Sequence, residues 1–281
     1  MRNNQDRMGM GVPTMPNENL QSSIEPPPQP AAMDFLVPTE IVDLPSKGLF
    51  YDEDHPLHKQ TTIEIKHMTT KEEDILTNQS YLKNGSAIDR VLRSVVVDNR
   101  ININDLLIGD KNAITVACRV FGYGQDYQTK YSCPSCGASQ ITTFDLAEIE
   151  SVDFEEGLRE FDATIDYETN LINFVIPRTK VQLQLNLLRK SINEGKKKKK
   201  ESRIVRDLYK AIIHSVNGNA DANYISSYID SMSAIDSRYL RSAYKKMVPN
   251  LDMACQFECK ECGHEGEVEV PLSADFFWPG T

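Results

Sequence analysis

No stretch of the 281 residues is both long and apolar enough to span a bilayer as a helix, and the mean hydropathy is −0.43. Arg2 and Arg7 lie near the start, but no apolar run follows them, so no secretory signal is expected. Positive charge is in deficit. Lys and Arg number 31 against 41 Asp and Glu, a net charge of −10, and such a chain as a whole repels nucleic acid and anionic membrane. Histidine is scarce at five residues, which leaves few candidates for proton transfer. The motifs of catalysis are missing together. Gly122-Tyr123-Gly124 lacks the third glycine and the preceding strand of a phosphate loop, and there is neither a His-Glu-x-x-His nor a Gly-x-Ser-x-Gly. Asp153, Glu155 and Glu156 read as a solvated face rather than an acid/base pair. An enzyme is therefore not expected.

What is present suggests an α+β fold in five consecutive regions. Residues 1–32 are rich in Asn, Gln, Met, Pro and Ser and hold too few large apolar groups to offset ordering entropy, so they read as a disordered arm. Residues 33–126 form a strand and helical region. Thr62 to Lys66 alternates as a half-buried strand, and Thr70-Lys71-Glu72-Glu73 has the form of a capping box. Ser86 starts a second helix carrying Ile88, Val91, Leu92 and Val95, and Asp110 opens a third that stops at Gly122-Tyr123-Gly124. Residues 127–146 return to strand–turn–strand. Residues 147–250 hold a hairpin (Leu171 to Ile176, Lys180 to Leu185) and two amphipathic helices, one through Leu208 and Ile212 and one through Ile235, Tyr239, Leu240 and Tyr244. Residues 251–281 close with strands and the aromatic tail Phe276-Phe277-Trp278.

Two of these regions carry the same device. Tyr131-Ser132-Cys133-Pro134-Ser135-Cys136-Gly137 and Phe257-Glu258-Cys259-Lys260-Glu261-Cys262-Gly263 each place an aromatic two residues before the first thiol and a glycine after the second. Two intervening residues let a tight turn bring both sulfurs to about 2.3 Å from one tetrahedral Zn²⁺. The glycine supplies the left-handed backbone that aims N–H groups at sulfur. Two such knuckles provide four thiolates, Cys133, Cys136, Cys259 and Cys262, and close the coordination sphere, so one structural zinc with no open position is expected. Redox Cys-x-x-Cys chemistry is the competing reading, but its first thiol usually sits at a helix N-terminus, whereas these pairs lie between strands. The expectation is a split zinc ribbon whose halves flank a mixed α/β insertion. Cys118 and Cys255 read as core thiols and His264 as a surface histidine.

Lys196 to Lys200 is the one local argument for a polyanion. It supports an alternative function, a zinc-ribbon nucleic-acid binder. No aromatic is interleaved for base stacking, and Glu258, Glu261, Glu265, Glu267 and Glu269 crowd the second knuckle, so no nucleic acid is expected.

Several segments, taken in order, carry a resemblance: Leu44-Pro45-Ser46-Lys47-Gly48-Leu49-Phe50-Tyr51, Met68 to Leu76, Asp105 to Ala113, and Gly122-Tyr123-Gly124 leading into the first knuckle. Together they resemble the T4-like bacteriophage baseplate hub assembly proteins, over Leu44 to Leu146 and more loosely at the second knuckle. The resemblance implies a non-enzymatic tail protein, made in the host cytoplasm and acting in baseplate hub assembly as a component or a chaperone, in the virion tail if it is retained there. Hub proteins and the tape-measure protein are the partners it implies, with no membrane.

Overall fold

The computed structural model describes residues 37–189, 204–270, 272 and 274–277. The expected disordered arm, the lysine run 196–200 and Trp278 lie outside the described residues. Within them the fold is α+β, with eight α-helices and four small antiparallel sheets.

The first sheet pairs β1 (Thr39–Asp43) with β2 (Thr62–Lys66), so that Val42 faces Ile63. Helix α1 (Thr70–Thr77) starts one residue earlier than its sequence suggests. Thr69, not Thr70, is the N-cap, and Glu72, not Glu73, completes the capping box. The Glu72 carboxylate accepts from the Thr69 N–H at 2.8 Å and from the Ser94 hydroxyl at 2.6 Å. Glu73 is thereby freed to accept from the Tyr123 hydroxyl at 3.0 Å. The short α2 (Gln79–Asn84) follows, stopped by Gly85, and α3 (Ala87–Val95) buries Val91, Leu92 and Val95.

Helix α4 (Ile108–Tyr123) begins two residues before Asp110. Asp110 does not cap it. Fully buried, it accepts from the Ser46 N–H (3.0 Å) and hydroxyl (2.6 Å) and from Tyr51 (2.5 Å), and so clamps the 44–51 loop against the first turn of α4. At the other end of α4, Arg119 is also fully buried. Its guanidinium donates to the carbonyls of Phe276 (3.1 Å), Gly124 (2.7 Å) and Asp126 (3.0 Å). One side chain thus ties the helix end to the start of the next strand and to the carboxy-terminal 3-10 turn, Ala274–Phe277. Phe276 and Phe277 in that turn are fully buried, and Phe276 packs on Tyr127 at 4.9 Å.

Two hairpins carry the paired cysteines: β3 (Asp126–Ser132) with β4 (Ser139–Asp145), and β9 (Ala254–Glu258) with β10 (Glu265–Glu269). Between them lie α5 (Phe154–Glu160), a four-stranded sheet in the order β5-β6-β7-β8 and three further helices. The strands are β5 (Thr164–Asp166), β6 (Leu171–Val175), β7 (Gln182–Asn186) and β8 (Ile213–Val216). The helices are α6 (Ile204–Ile212), α7 (Ala222–Ser231) and α8 (Ala234–Met247). Asp153, Glu155 and Glu156 are exposed, as a solvated face should be; Asp153 also caps α5 by accepting from the Glu156 N–H at 3.0 Å, and Glu155 pairs with Lys47 at 3.1 Å. Helix α5 lies so close to the end of α8 that a Cβ on Gly157 would overlap the Lys246 carbonyl. Ile235, expected on a buried face of α8, is exposed, whereas Leu240, Ala243, Tyr244 and Met247 are buried.

This intervening chain leaves and returns at one place. The Val152 N–H donates to the Asn250 carbonyl and the Asp252 N–H to the Glu150 carbonyl, both at 2.8 Å, around an antiparallel bridge between Ser151 and Leu251. That closure sets the entry to the second hairpin beside the exit from the first.

Candidate metal centre

The two hairpins are built alike, residue for residue, 126 positions apart. In the first, the Cys133 N–H donates to the Ala138 carbonyl (2.8 Å) and the Gly137 N–H to the Cys133 carbonyl (2.9 Å). In the second, the Cys259 N–H donates to the His264 carbonyl (2.9 Å) and the Gly263 N–H to the Cys259 carbonyl (2.9 Å). Gly137 and Gly263 have φ of 74° and 66°, the left-handed region where a side chain is strained. The sequence symmetry is therefore a symmetry of backbone conformation.

Tyr131 and Phe257, the aromatics that precede the thiols, pack on each other with ring centroids 5.2 Å apart. Cys133 and Cys259 are buried, 3% and 1% exposed, while Cys136 and Cys262 stand at the surface. All four sulfurs lie within 4.8 Å of one another. Two separations cross between the hairpins at close range: Cys133 to Cys262 at 3.8 Å and Cys136 to Cys259 at 3.7 Å. A tetrahedron of sulfurs around an ion at about 2.3 Å has edges of about 3.8 Å. The donor set and its spacing fit a tetrahedral, thiolate-loving ion.

The thiols do not hold their protons equally. Burial pushes Cys133 up, but the N–H groups of Cys136 and Ser135 and the neighbouring Cys259 and Cys136 thiols outweigh it and bring Cys133 down to about 6. For Cys262 the His264 N–H pulls downward, yet the Cys136, Cys259 and Cys133 sulfurs and burial push it up to about 12. The Cys133 thiolate is favoured, and the neighbouring sulfurs oppose a second negative charge on Cys262. A cation at the centre removes that opposition.

The other expected residues fall outside the cluster. Cys118 is buried on α4, where burial and then the Glu72 charge push its thiol up to about 12. Cys255 is only half-buried, packed against the core from β9, and is less enclosed than a core thiol. His264 joins the knuckle through its backbone and not through its ring. The exposed side of β9 and β10 carries Glu258, Glu265, Glu267 and Glu269, with Glu258 and Glu265 directly opposite.

One residue of the site has no signal in the linear pattern. Gln140, on β4, donates from Nε2 to the Glu258 carbonyl at 2.8 Å, and its Oε1 accepts from the Lys260 N–H at 2.9 Å. It bridges the two knuckles directly. Among the described residues no helix is long and apolar enough to cross a membrane. No curated protein and no solved structure matches the chain. A family model described as T4 bacteriophage base plate protein matches residues 39–278, and the chain belongs to that family.

Proposed function

We propose, with that membership as the premise, that the protein acts without catalysis in building the baseplate hub of a phage tail, as a component or an assembly chaperone, with hub proteins and the tape-measure protein as its partners. In this reading it works in the host cytoplasm during assembly. Its regions are those of the sequence: an arm (1–32), a strand and helical part (33–126), two ribbon halves (127–146 and 251–281) and the insertion between them (147–250). A single structural Zn²⁺ on Cys133, Cys136, Cys259 and Cys262 staples the halves. The observation that carries the metal reading is the convergence of two sulfur pairs, far apart in the chain, at the edge length of a thiolate tetrahedron. With four protein sulfurs the ion's role would be to hold the fold, since no position is left for water or substrate.

Metal analysis should find about one zinc per chain. Cys136→Ser and Cys259→Ser should each lose it and lower the melting temperature, because a site assembled from distant segments couples metal binding to folding. Full zinc in either variant would refute the shared site. Affinity purification from infected cells, followed by mass spectrometry, should recover hub and tape-measure proteins. Recovery of neither, with salt-sensitive retention of DNA instead, would favour the nucleic-acid reading. The carboxylates beside the second knuckle speak against that outcome.

A further inference from the structure

We infer that Gln140 is a positioning residue, a lock that holds the two cysteine knuckles in register before any metal ion arrives. The inference deepens the zinc reading and takes its functional sense from it, although the lock can be tested without metal.

Among the described residues, three contacts besides the sulfurs hold the two hairpins together. The Tyr131–Phe257 ring contact is apolar and tolerates sliding, and the bridge between Ser151 and Leu251 lies outside both hairpins, on the side away from the thiols. Among the described residues, Gln140 presents both a donor and an acceptor to the backbone of the opposite knuckle, at Glu258 and Lys260, the residues on either side of Cys259. A primary amide there does what a peptide group does in a β-ladder. Both hydrogen bonds are satisfied only in one alignment, so they fix the position of Cys259 against Cys136, 3.7 Å away.

The lock is one-sided. The residue 126 positions further on, equivalent to Gln140 in the second hairpin, is Gly266, which has no side chain to reach back. The half-built site thus depends on a single residue of the first hairpin. Without it, sulfur pairs from distant parts of the chain are held near one another only by packing, and metal must supply the alignment as well as the bonds.

The test uses the full chain, freed of metal by chelation and oxidised with diamide, a two-electron oxidant. Each disulfide forms as two thiols give up two protons and two electrons, which reduce diamide to its hydrazine. Peptide mapping of the wild type should show the cross-knuckle disulfides Cys133–Cys262 and Cys136–Cys259, whose sulfurs are 3.8 and 3.7 Å apart, as a substantial share of the products. In Gln140→Ala the local disulfides Cys133–Cys136 and Cys259–Cys262 should rise to compete with them. Cobalt(II) titration, followed by thiolate-to-cobalt absorption, should show affinity weakened roughly 10-fold or more in Gln140→Ala. Gln140→Glu, which can still accept from Lys260 but cannot donate to Glu258, should fall short of the wild type in both assays. It also guards against an alanine variant that merely misfolds. Unchanged disulfide pairing and unchanged cobalt affinity in both variants would overturn the lock and leave the zinc reading intact. A wild type that binds no ion but shows the Gln140-dependent pairing would overturn the zinc reading and leave the lock.

Discussion

Glu72 shows how much a single carboxylate organises. It closes the capping box of α1 and accepts from Ser94 on α3, so it joins two helices as well as ending one. Burial works to raise its pKa, but the Ser94 and Thr69 donors prevail and hold it below the usual carboxylate value. A carboxyl depressed in the folded state stabilises above its unfolded pKa, and that stability is lost as pH falls through the folded pKa. Glu72→Gln should cost about 1–2 kcal/mol in urea denaturation at pH 7. The two proteins should converge as pH drops below the ordinary carboxylate range, where the native side chain also loses its charge. A gap that persists unchanged into acid would show that shape, not ionisation, is what matters at this position. The sequence announces a capping box here but misplaces it by one residue. Thr69 and Thr70 are chemically equal candidates, and tertiary contacts, Ser94 with Glu72 and Tyr123 with Glu73, decide between the two glutamates.

At the scale of elements, the helix ends and hairpins were legible where composition is emphatic. Gly124 stops α4, the left-handed glycines follow both thiol pairs, and Val181, Leu183 and Leu185 alternate into β7. The elements not foreseen are those with weak local signals. Helix α5 is one short stretch with Gly157 inside it, and α7 (ANYISSYIDS) is rich in Ser, Asn and β-branched residues of modest helix propensity. Their helicity comes from caps at Asp153 and Asp221 and from packing on neighbours. The carboxy-terminal 3-10 turn is held in the same tertiary way. Its carbonyl at Phe276 meets Arg119, a guanidinium with three backbone carbonyls for partners in the described fold. Arg119→Met keeps the apolar stem and strips all three acceptors of their donor. It should destabilise by about 3 kcal/mol and loosen the turn, read as faster amide exchange in residues 274–277. A loss below about 0.5 kcal/mol would mean that burial of Phe276 and Phe277 suffices without the arginine.

For the whole molecule, the convergence of the cysteine pairs was readable because their repeated spacing is the one a shared tetrahedral ion would require, whereas the residue that bridges them was not. Gln140 obeys no spacing rule, and its meaning exists only once residues 126 positions apart are brought together. The same separation makes the centre a property of the entire chain. Chelation should therefore lower the melting temperature of a single cooperative transition, and should not merely release a small domain while the remainder melts as before. Calorimetry with and without chelator distinguishes the two results. Two separated transitions in the metal-free protein would show that the cysteine hairpins and the intervening elements fold independently.

The hydrogen-bonded neck at Glu150–Val152 and Asn250–Asp252 has a consequence for variation within the family. A loop whose two feet are pinned side by side can lengthen or shorten at its outer turns without moving the base, so long as the contacts that tie its body to the rest of the fold, such as Glu155 with Lys47, are kept. Kindred chains should then differ most at those outer turns, while the thiol-bearing base stays fixed.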